Sequence, residues 1–217
     1  MATNSAKIPI AAGLTPFNRM LKRSFDVFVA VTGLCLAWWI IALAFAAASI
    51  DTGKSGFFLQ ERVGRNGRLF QIIKIRTMRD IPLLLTTVTC AGDPRITALG
   101  RFFRRTKIDE LPQLVNVLLG QMSIVGPRPD VPGFADQLRG ADRIVLSVRP
   151  GLTGPATLKF GREEAILAAQ PDPEAYNREV IFPEKVRLNR AYVEAYSFWA
   201  DLKWIGRSIW EIRDWGL

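Results

Sequence analysis

The feature that most constrains the fold is a long apolar segment near the N-terminus. No charged residue occurs from Val27 to Ile50. At about 1.5 Å per residue, a helix over this segment reaches roughly 36 Å, enough to cross the hydrocarbon core of a bilayer. A cleaved signal peptide is typically shorter and starts earlier, although Ala46-Ala47-Ala48 resembles a cleavage region. Because a buried core helix is rarely so uniformly apolar, the segment predicts insertion into a membrane.

The charges around this segment leave two topologies open. Basic residues precede it, at Arg19, Lys22 and Arg23, and others follow it between Lys54 and Arg68. Lysine and arginine concentrate in the cytoplasmic loops of membrane proteins. Because both flanks of this segment are basic, this rule does not indicate which end of the helix lies in the cytoplasm. The length and the absence of proline favour a spanning helix. Basic flanks on both sides favour a re-entrant helix, which returns to the side from which it came.

The composition excludes several kinds of chemistry. The chain of 217 residues has no histidine, which rules out a Ser-His-Asp triad and a histidine-ligated metal. Its two cysteines, Cys35 and Cys90, are too few for a disulfide framework, as expected of a reducing, cytosol-facing protein. The net charge of +9 favours polyanionic partners such as anionic lipid, nucleic acid or phosphorylated small molecules.

The rest of the chain predicts an α+β domain that is mainly helical. Residues 57–64 and 69–75 predict a β-hairpin around the turn signal Asn66-Gly67. Helices are expected over residues 96–105, from Asp109 to a cap at Gly120, and from Pro183 onward. Residues 126–155 are rich in proline and glycine, so loops are expected there.

The C-terminal helix has two interpretations. Tryptophans alternate with basic residues along it, at Lys203, Trp204, Arg207, Trp210, Arg213 and Trp215. This mixture suits a membrane interface. It also suits a terminal helix that packs on the domain and leaves its charges in solvent.

Two adjacent carboxylates, Asp109 and Glu110, follow a run of basic residues. Proline is tolerated only in the first turn of a helix, so Pro112 places a helix start close to the dyad. The free N–H groups and positive dipole at such an end attract anions. An ionised aspartate can attack phosphorus, and a neighbouring glutamate can help to hold Mg²⁺. Acidic residues also occur in first turns as simple caps, so the dyad alone is compatible with a structural role.

Three further basic residues are candidates for binding phosphate. Two prolines in Gly126-Pro127-Arg128-Pro129 fix the backbone around Arg128, which can then grip a phosphate or stack on a base, or simply face solvent. Lys74 and Arg76 flank one position of a predicted strand and therefore share a face. That face is either a phosphate site or a solvated surface.

Taken in order, six segments resemble the monotopic phosphoglycosyl transferases of the bacterial sugar transferase family. The resemblance covers nearly the whole chain from Lys22. Each segment is weak alone, and their order and spacing make the match specific. They are Lys22–Asp26, Phe57–Gly64, Lys74–Met78, Thr106–Leu114, Met122–Pro129 and Arg149–Gly154.

The resemblance implies transfer of a sugar 1-phosphate from a UDP-sugar to a polyprenyl phosphate, with release of UMP. This is the first membrane step in assembling a glycoconjugate. It implies a covalent phospho-sugar intermediate on Asp109, with Glu110 assisting the acceptor and both carboxylates holding Mg²⁺. Arg128 would contact the nucleotide or its phosphates. Lys74 and Arg104 would make secondary phosphate contacts, and Arg76 is a further substrate-binding candidate.

The resemblance also implies an arrangement at the bacterial inner membrane. Residues 1–21 form an N-terminal flank and residues 22–51 a re-entrant helix. Residues 52–217 form a catalytic domain on the cytoplasmic face, with amphipathic helices at the interface. The expected partners are the two substrates and membrane lipids, not nucleic acid, and a homodimer is left open. The family usually has Ser-Pro where this chain has Trp38-Trp39. The alternative to a transferase is a membrane-anchored basic protein that binds anionic lipid or nucleic acid without catalysis.

Overall fold

The computed structural model of the chain describes residues 13–81, 86 and 88–214, with side chains up to residue 210. Most of the predicted N-terminal flank, and Trp215, lie outside the described residues. Within them, helices and two small sheets make a mixed α/β structure. The prediction of a mainly helical α+β chain with an apolar N-terminal helix is confirmed to that extent.

The apolar segment lies within a single helix, α1, that spans Pro16–Thr52. Thr15 caps its start by accepting a hydrogen bond from the Asn18 N–H, and Gly53 ends it in a left-handed conformation at φ 69°. The helix continues without interruption through Trp38 and Trp39, both exposed. By length and composition α1 can cross a membrane.

Both ends of α1 contact the same globular body. Near its start, the buried Asp26 carboxylate accepts hydrogen bonds of 3.0 Å from the Ser123 hydroxyl and the Ile124 N–H. Near its end, Ala44 and Ala48 pack in a cluster with Ile75 and Phe103. The opposite face is apolar and exposed, at Phe28, Val31, Leu36, Trp38, Trp39, Leu43 and Ile50. The helix therefore lies along the domain instead of projecting away from it.

The predicted hairpin is confirmed. Strand β1, Phe57–Val63, pairs antiparallel with strand β2, Leu69–Ile75, in a register that sets Phe57 opposite Ile75. Asn66 and Gly67 lie in the turn with φ values of 61° and 75°. Asparagine and glycine tolerate this left-handed region better than other residues, which is why this dipeptide predicts the turn.

The helix expected from Asp109 to Gly120 is instead two pieces. After α2, Ala98–Thr106, a short 3₁₀ turn spans Ile108–Glu110, and α3 spans only Gln113–Leu118. Pro112 has no N–H to donate to the Ile108 carbonyl, which accepts from the Leu111 N–H instead. Gly120 adopts the left-handed conformation predicted for the cap, at φ 80°.

The region expected to be loops, residues 126–155, contributes one strand to a second small sheet. Strand β3, Ser123–Val125, pairs in parallel with β4, Gly151–Thr153. Short 3₁₀ helices lie between these strands, at Ala135–Gln137 and Gly140–Ser147. Backbone pairing with a distant strand is not visible in the proline and glycine content of a segment, so the prediction missed this sheet.

The C-terminal third is helical but interrupted. Its elements are α4 (Pro155–Lys159), α5 (Glu163–Ala168), α6 (Pro173–Tyr176), a π-helical turn (Asn177–Ile181), α7 (Phe182–Glu194) and α8 (Phe198–Asp214). In α8, Trp204 and Ile205 pack against the main hydrophobic core, whereas three apolar side chains are exposed. The core includes Val117, Met122 and Val193, and the exposed side chains are those of Trp199, Ile209 and Trp210. One side of this helix therefore packs on the domain and the other presents apolar side chains, while contact with a membrane interface stays a prediction.

Candidate active site

A cleft of about 1300 Å³ lies between the hairpin, the dyad turn, the Arg128 loop and helices α4 and α5. All six residues proposed from the sequence line it: Lys74, Arg76, Arg104, Asp109, Glu110 and Arg128. These residues come from four separate segments of the chain. The fold therefore brings the predicted site residues to one cavity, although their roles stay predictions.

Glu110 is held between two cations. Its Oε1 accepts from Arg128 Nη2 at 2.8 Å and from Lys74 Nζ at 3.4 Å. Burial alone would raise the pKa of Glu110, but Arg128, Lys74 and Lys107 outweigh it and hold that pKa well below its usual range. Burial in turn lowers the pKa of Lys74. Glu110 is therefore an ionised carboxylate whose charge is compensated.

Asp109 lies in a different electrostatic setting. It is buried, and among the described residues its Oδ1 has no hydrogen-bond partner. Burial, followed by repulsion from Glu110, raises the pKa of Asp109 to about 6. A buried carboxylate oxygen without a partner is costly, and it is the kind of atom that a cation or a reacting substrate would satisfy.

Within residues 13–81, 86 and 88–214, no group of three or more Asp, Glu, Cys or His side chains is placed to hold a metal ion. Although Asp80, Asp93, Asp130, Glu163 and Glu164 also line the cleft, the dyad is the donor pair that the sequence predicts for Mg²⁺. Such a sparse donor set suits Mg²⁺, which keeps several waters and is bound through one or two carboxylates plus substrate phosphates. The residues present therefore fit this ion, with the unpartnered Oδ1 of Asp109 as the best donor.

The loop that carries Arg128 is interlocked with the loop after Arg149. The Gly126 N–H donates to the Thr153 carbonyl, and the Gly151 N–H donates to the Pro127 carbonyl. The two backbones pass so closely that a Cβ on Gly151 would lie 2.1 Å from the Gly126 nitrogen. The motif from Arg149 to Gly154 thus has a structural role in fixing the Arg128 loop.

Substitution of Gly151 with alanine is expected to destabilise the protein by about 3 kcal/mol, because a side chain there must displace backbone atoms. Thermal unfolding measures the effect. Gly206→Ala is the matched control, since nothing lies within 4 Å of a Cβ at that position and alanine favours the helix. Equal unfolding midpoints for the two variants would contradict the interlocked arrangement.

Arg62 is a site residue that the sequence interpretation did not single out. It lines the cleft, donating from Nη1 to the Pro129 carbonyl at 3.2 Å and from Nη2 to Gln60 at 2.6 Å. Burial, aided by Arg128, lowers the pKa of Arg62 to about 10. The predicted strand could have identified Arg62, because side chains alternate along a strand and residues 58, 60 and 62 therefore share the face of the hairpin that lines the cleft.

The other two arginines line the cleft without contacting the dyad. Arg104 donates to the Thr77 hydroxyl at 2.9 Å and to Glu164 at 2.5 Å. Arg76 donates from Nε to the Ser55 carbonyl at 2.8 Å and from Nη2 to the Phe57 carbonyl at 3.3 Å. Lys74 and Arg76 share a face as predicted, but only Lys74 contacts a catalytic candidate.

These features define a class: a protein with an apolar helix long enough to enter a membrane and an acidic pair, of which only Glu110 is paired with cations, in a basic cleft suited to phosphate-bearing substrates. Comparison with known families agrees with that class. The family described as bacterial sugar transferase matches residues 17–214. The chain belongs to the bacterial sugar transferase family, as its sequence motifs indicated.

Several curated relatives resemble this chain. The exopolysaccharide production protein ExoY of Sinorhizobium fredii is 32% identical, and the match covers 96% of this chain and 92% of the relative. The galactosyl transferase CpsE of Streptococcus agalactiae is 36% identical, over 84% of this chain and 40% of the relative. The UDP-glucose:undecaprenyl-phosphate glucose-1-phosphate transferase of Escherichia coli is 32% identical, over 88% and 39% respectively.

Proposed function

We propose that this chain is a phosphoglycosyl transferase that moves a sugar 1-phosphate from a UDP-sugar to a polyprenyl phosphate and releases UMP. The observation that carries the proposal is the asymmetric dyad: Asp109 has a buried, unpartnered oxygen, while Arg128 and Lys74 compensate its neighbour Glu110. The Escherichia coli relative is named as a glucose-1-phosphate transferase that acts on UDP-glucose and undecaprenyl phosphate. The reaction would be the first membrane step in assembling a polysaccharide or related glycoconjugate.

The reaction proceeds in two displacements at one phosphorus atom. A carboxylate oxygen of Asp109 bonds to the phosphorus that carries the sugar, and the bond from this phosphorus to the bridging oxygen breaks. UMP leaves with that oxygen and the bonding electron pair, and an aspartyl phospho-sugar remains. A phosphate oxygen of the polyprenyl phosphate then bonds to the same phosphorus. The bond to Asp109 breaks, which restores the carboxylate and releases the polyprenyl diphosphate sugar.

The basic residues of the cleft have distinct tasks in this proposal. Arg128 and Lys74 hold Glu110 in place and present positive charge to the diphosphate. Arg62 fixes the Pro129 carbonyl and with it the Arg128 loop. The dyad would hold Mg²⁺, which when bound neutralises diphosphate charge and eases departure of the leaving group.

Membrane attachment is proposed to be monotopic, with α1 entering one leaflet and both flanks on the cytoplasmic side of the inner membrane. A spanning helix separates its ends by a hydrocarbon core of about 30 Å. In this chain Lys22 contacts Asp201 near one end, and Ala48 packs with Ile75 near the other. Contacts of both ends with one domain support a helix that does not cross, even without the Ser-Pro break. A nucleotide-sugar donor requires the cytoplasmic side.

The proposed function is tested by supplying the purified protein with undecaprenyl phosphate and a panel of UDP-sugars. Multiple-turnover UMP release that depends on the acceptor, with one sugar preferred, is the expected result. Salt-sensitive binding of any polyanion without UMP release would instead indicate the non-catalytic binding protein. The panel also identifies the sugar.

Arg128→Lys is expected to lower kcat/KM for the donor by about 10- to 100-fold, the cost of losing a charge-assisted hydrogen bond. Lysine keeps the charge but not the planar fork that binds phosphate in a two-pronged manner. Steady-state kinetics with varied UDP-sugar measures the change. The control is Arg190→Lys, a surface arginine paired with Glu194 and outside the cleft. If the two variants behave alike, Arg128 does not bind the donor.

A further inference from the structure

A second cavity, of about 690 Å³, lies on the other side of the β1–β2 hairpin from the cleft. Its walls are almost wholly apolar and come from three elements. Helix α1 contributes Leu34 and Trp38, the hairpin contributes Leu59 and Ile73, and the segment after the dyad contributes Pro112 and Val115. We call this cavity the apolar groove.

The hairpin is a partition between the cleft and the apolar groove. Successive side chains of a strand point to opposite faces of the sheet. Phe58 and Lys74 are directly opposite each other and line the cleft, whereas Leu59 and Ile73 are directly opposite each other and line the groove. The alternating pattern of one hairpin therefore gives the cleft its polar residues Gln60, Arg62 and Lys74, and gives the groove an apolar wall.

The two cavities meet at Arg76, which lines both. The carbonyls of Ser55 and Phe57 orient its guanidinium at the end of the hairpin. The dyad segment is a second shared wall, since Leu111 lines the cleft and Pro112 lines the groove. A molecule with an apolar tail in the groove can therefore place a charged head beside Arg76, at the border of the cleft that contains the dyad.

We propose that the apolar groove binds the prenyl chain of the acceptor lipid, whose phosphate lies at Arg76. This rests on the proposed function, which requires one polar and one amphiphilic substrate. A nucleotide sugar has no apolar part to fill such walls, so it belongs in the cleft. The groove also borders the exposed apolar face of α1 through Trp38, so a lipid reaches it from the membrane. Charge complementarity at Arg76 favours a phosphate as the head group.

The test compares two glutamate substitutions on the same hairpin. Leu59 lines the groove and is 58% exposed, while Leu69 is 50% exposed and lines neither cavity. A carboxylate at position 59 places a charge in the path of the prenyl chain. Leu59→Glu is expected to raise KM for undecaprenyl phosphate at least tenfold, and Leu69→Glu to change it less than twofold. Each variant is also given the UDP-sugar without acceptor. Formation of the phospho-sugar adduct on Asp109 then shows that the variant is folded, because this step needs an intact cleft but not the prenyl chain.

A direct measurement uses the unaltered protein. A polyprenyl phosphate with a diazirine in its chain is irradiated with the protein in phosphatidylglycerol vesicles, and labelled peptides are identified by mass spectrometry. Labels within residues 34–41, 57–59 or 112–115 support the proposal. The proposal is overturned if the labels are confined to other residues, or if phosphatidic acid suppresses labelling as well as unlabelled polyprenyl phosphate does. Equal KM values of Leu59→Glu and Leu69→Glu for undecaprenyl phosphate also overturn it. If the wild type releases no UMP, the proposed function fails instead, and labelling still decides what the groove binds.

Discussion

Asp109→Asn is expected to lower the rate of UMP release by about 10⁴-fold or more, the scale seen when a covalent nucleophile is removed. The amide has nearly the same shape as the carboxylate but cannot form the bond to phosphorus. Folding is expected to survive. Burial and Glu110 raise the pKa of Asp109 to about 6, which means that its charged form is disfavoured in the folded state. Removing that charge therefore does not destabilise the protein.

The same experiment locates the covalent intermediate. Wild-type protein given the UDP-sugar without acceptor is expected to gain the mass of a sugar phosphate on the peptide that contains Asp109, and Asp109→Asn is not. Asp142→Asn serves as the control, because Asp142 pairs with Arg190 at the surface and lies outside the cleft. Undiminished turnover in Asp109→Asn, or an adduct on another residue, would contradict the proposed mechanism.

Local patterns in the sequence predicted the elements around the site well. The hairpin follows from alternation plus Asn66-Gly67, and the cap at Gly120 follows from its conformational freedom. Such features depend on neighbours in the chain. The dyad and Arg128 were recognisable for the same reason, because each lies in a short motif next to a proline.

Features that depend on distant contacts were not predictable in this way. The apolar content of α1 gave no indication that the helix lies along the domain, although the small residues Ala30, Gly33, Ala44 and Ala48 mark the packed face. The pairing of β3 with β4 needs contacts far apart in sequence. Strand alternation could have placed Arg62 on the cleft face, but its contact with the Pro129 carbonyl in another loop could not be predicted from the sequence. The separation of the polar cleft from the apolar groove was likewise not predictable, because it depends on how α1 and α3 pack beside the hairpin.

Lys22→Met is expected to destabilise the protein by about 3–5 kcal/mol, the usual cost of leaving one member of a buried ion pair alone. Lys22 Nζ lies 2.6 Å from Asp201 Oδ2 and also donates to the Val125 carbonyl at 2.9 Å. The Tyr192 hydroxyl donates to the other Asp201 oxygen at 2.7 Å. This cluster joins the start of α1 to α7, α8 and β3, and β3 leads directly into the Arg128 loop.

The dependence on pH identifies the cause of this destabilisation. Burial raises the pKa of Asp201 above its ordinary value even with Lys22 beside it, and loss of Lys22 removes the main opposing influence. A carboxyl group with a raised pKa in the folded state binds its proton more tightly there than in the unfolded chain. The variant is therefore expected to regain stability as the pH falls toward the ordinary pKa of aspartate. Thermal unfolding across a pH series measures this trend.

Two further variants separate the buried charge from a loss of packing. Lys159→Met breaks a surface pair with Glu184 and is expected to cost less than about 1 kcal/mol. Asp201→Asn combined with Lys22→Met removes the stranded charge and keeps an oxygen for the Tyr192 hydroxyl, so most of the lost stability is expected to return. If Lys22→Met unfolds at the same temperature as Lys159→Met, the contact with Asp201 does not hold α1 on the domain. The strongest support for a helix that keeps both ends on one side of the membrane would then be lost.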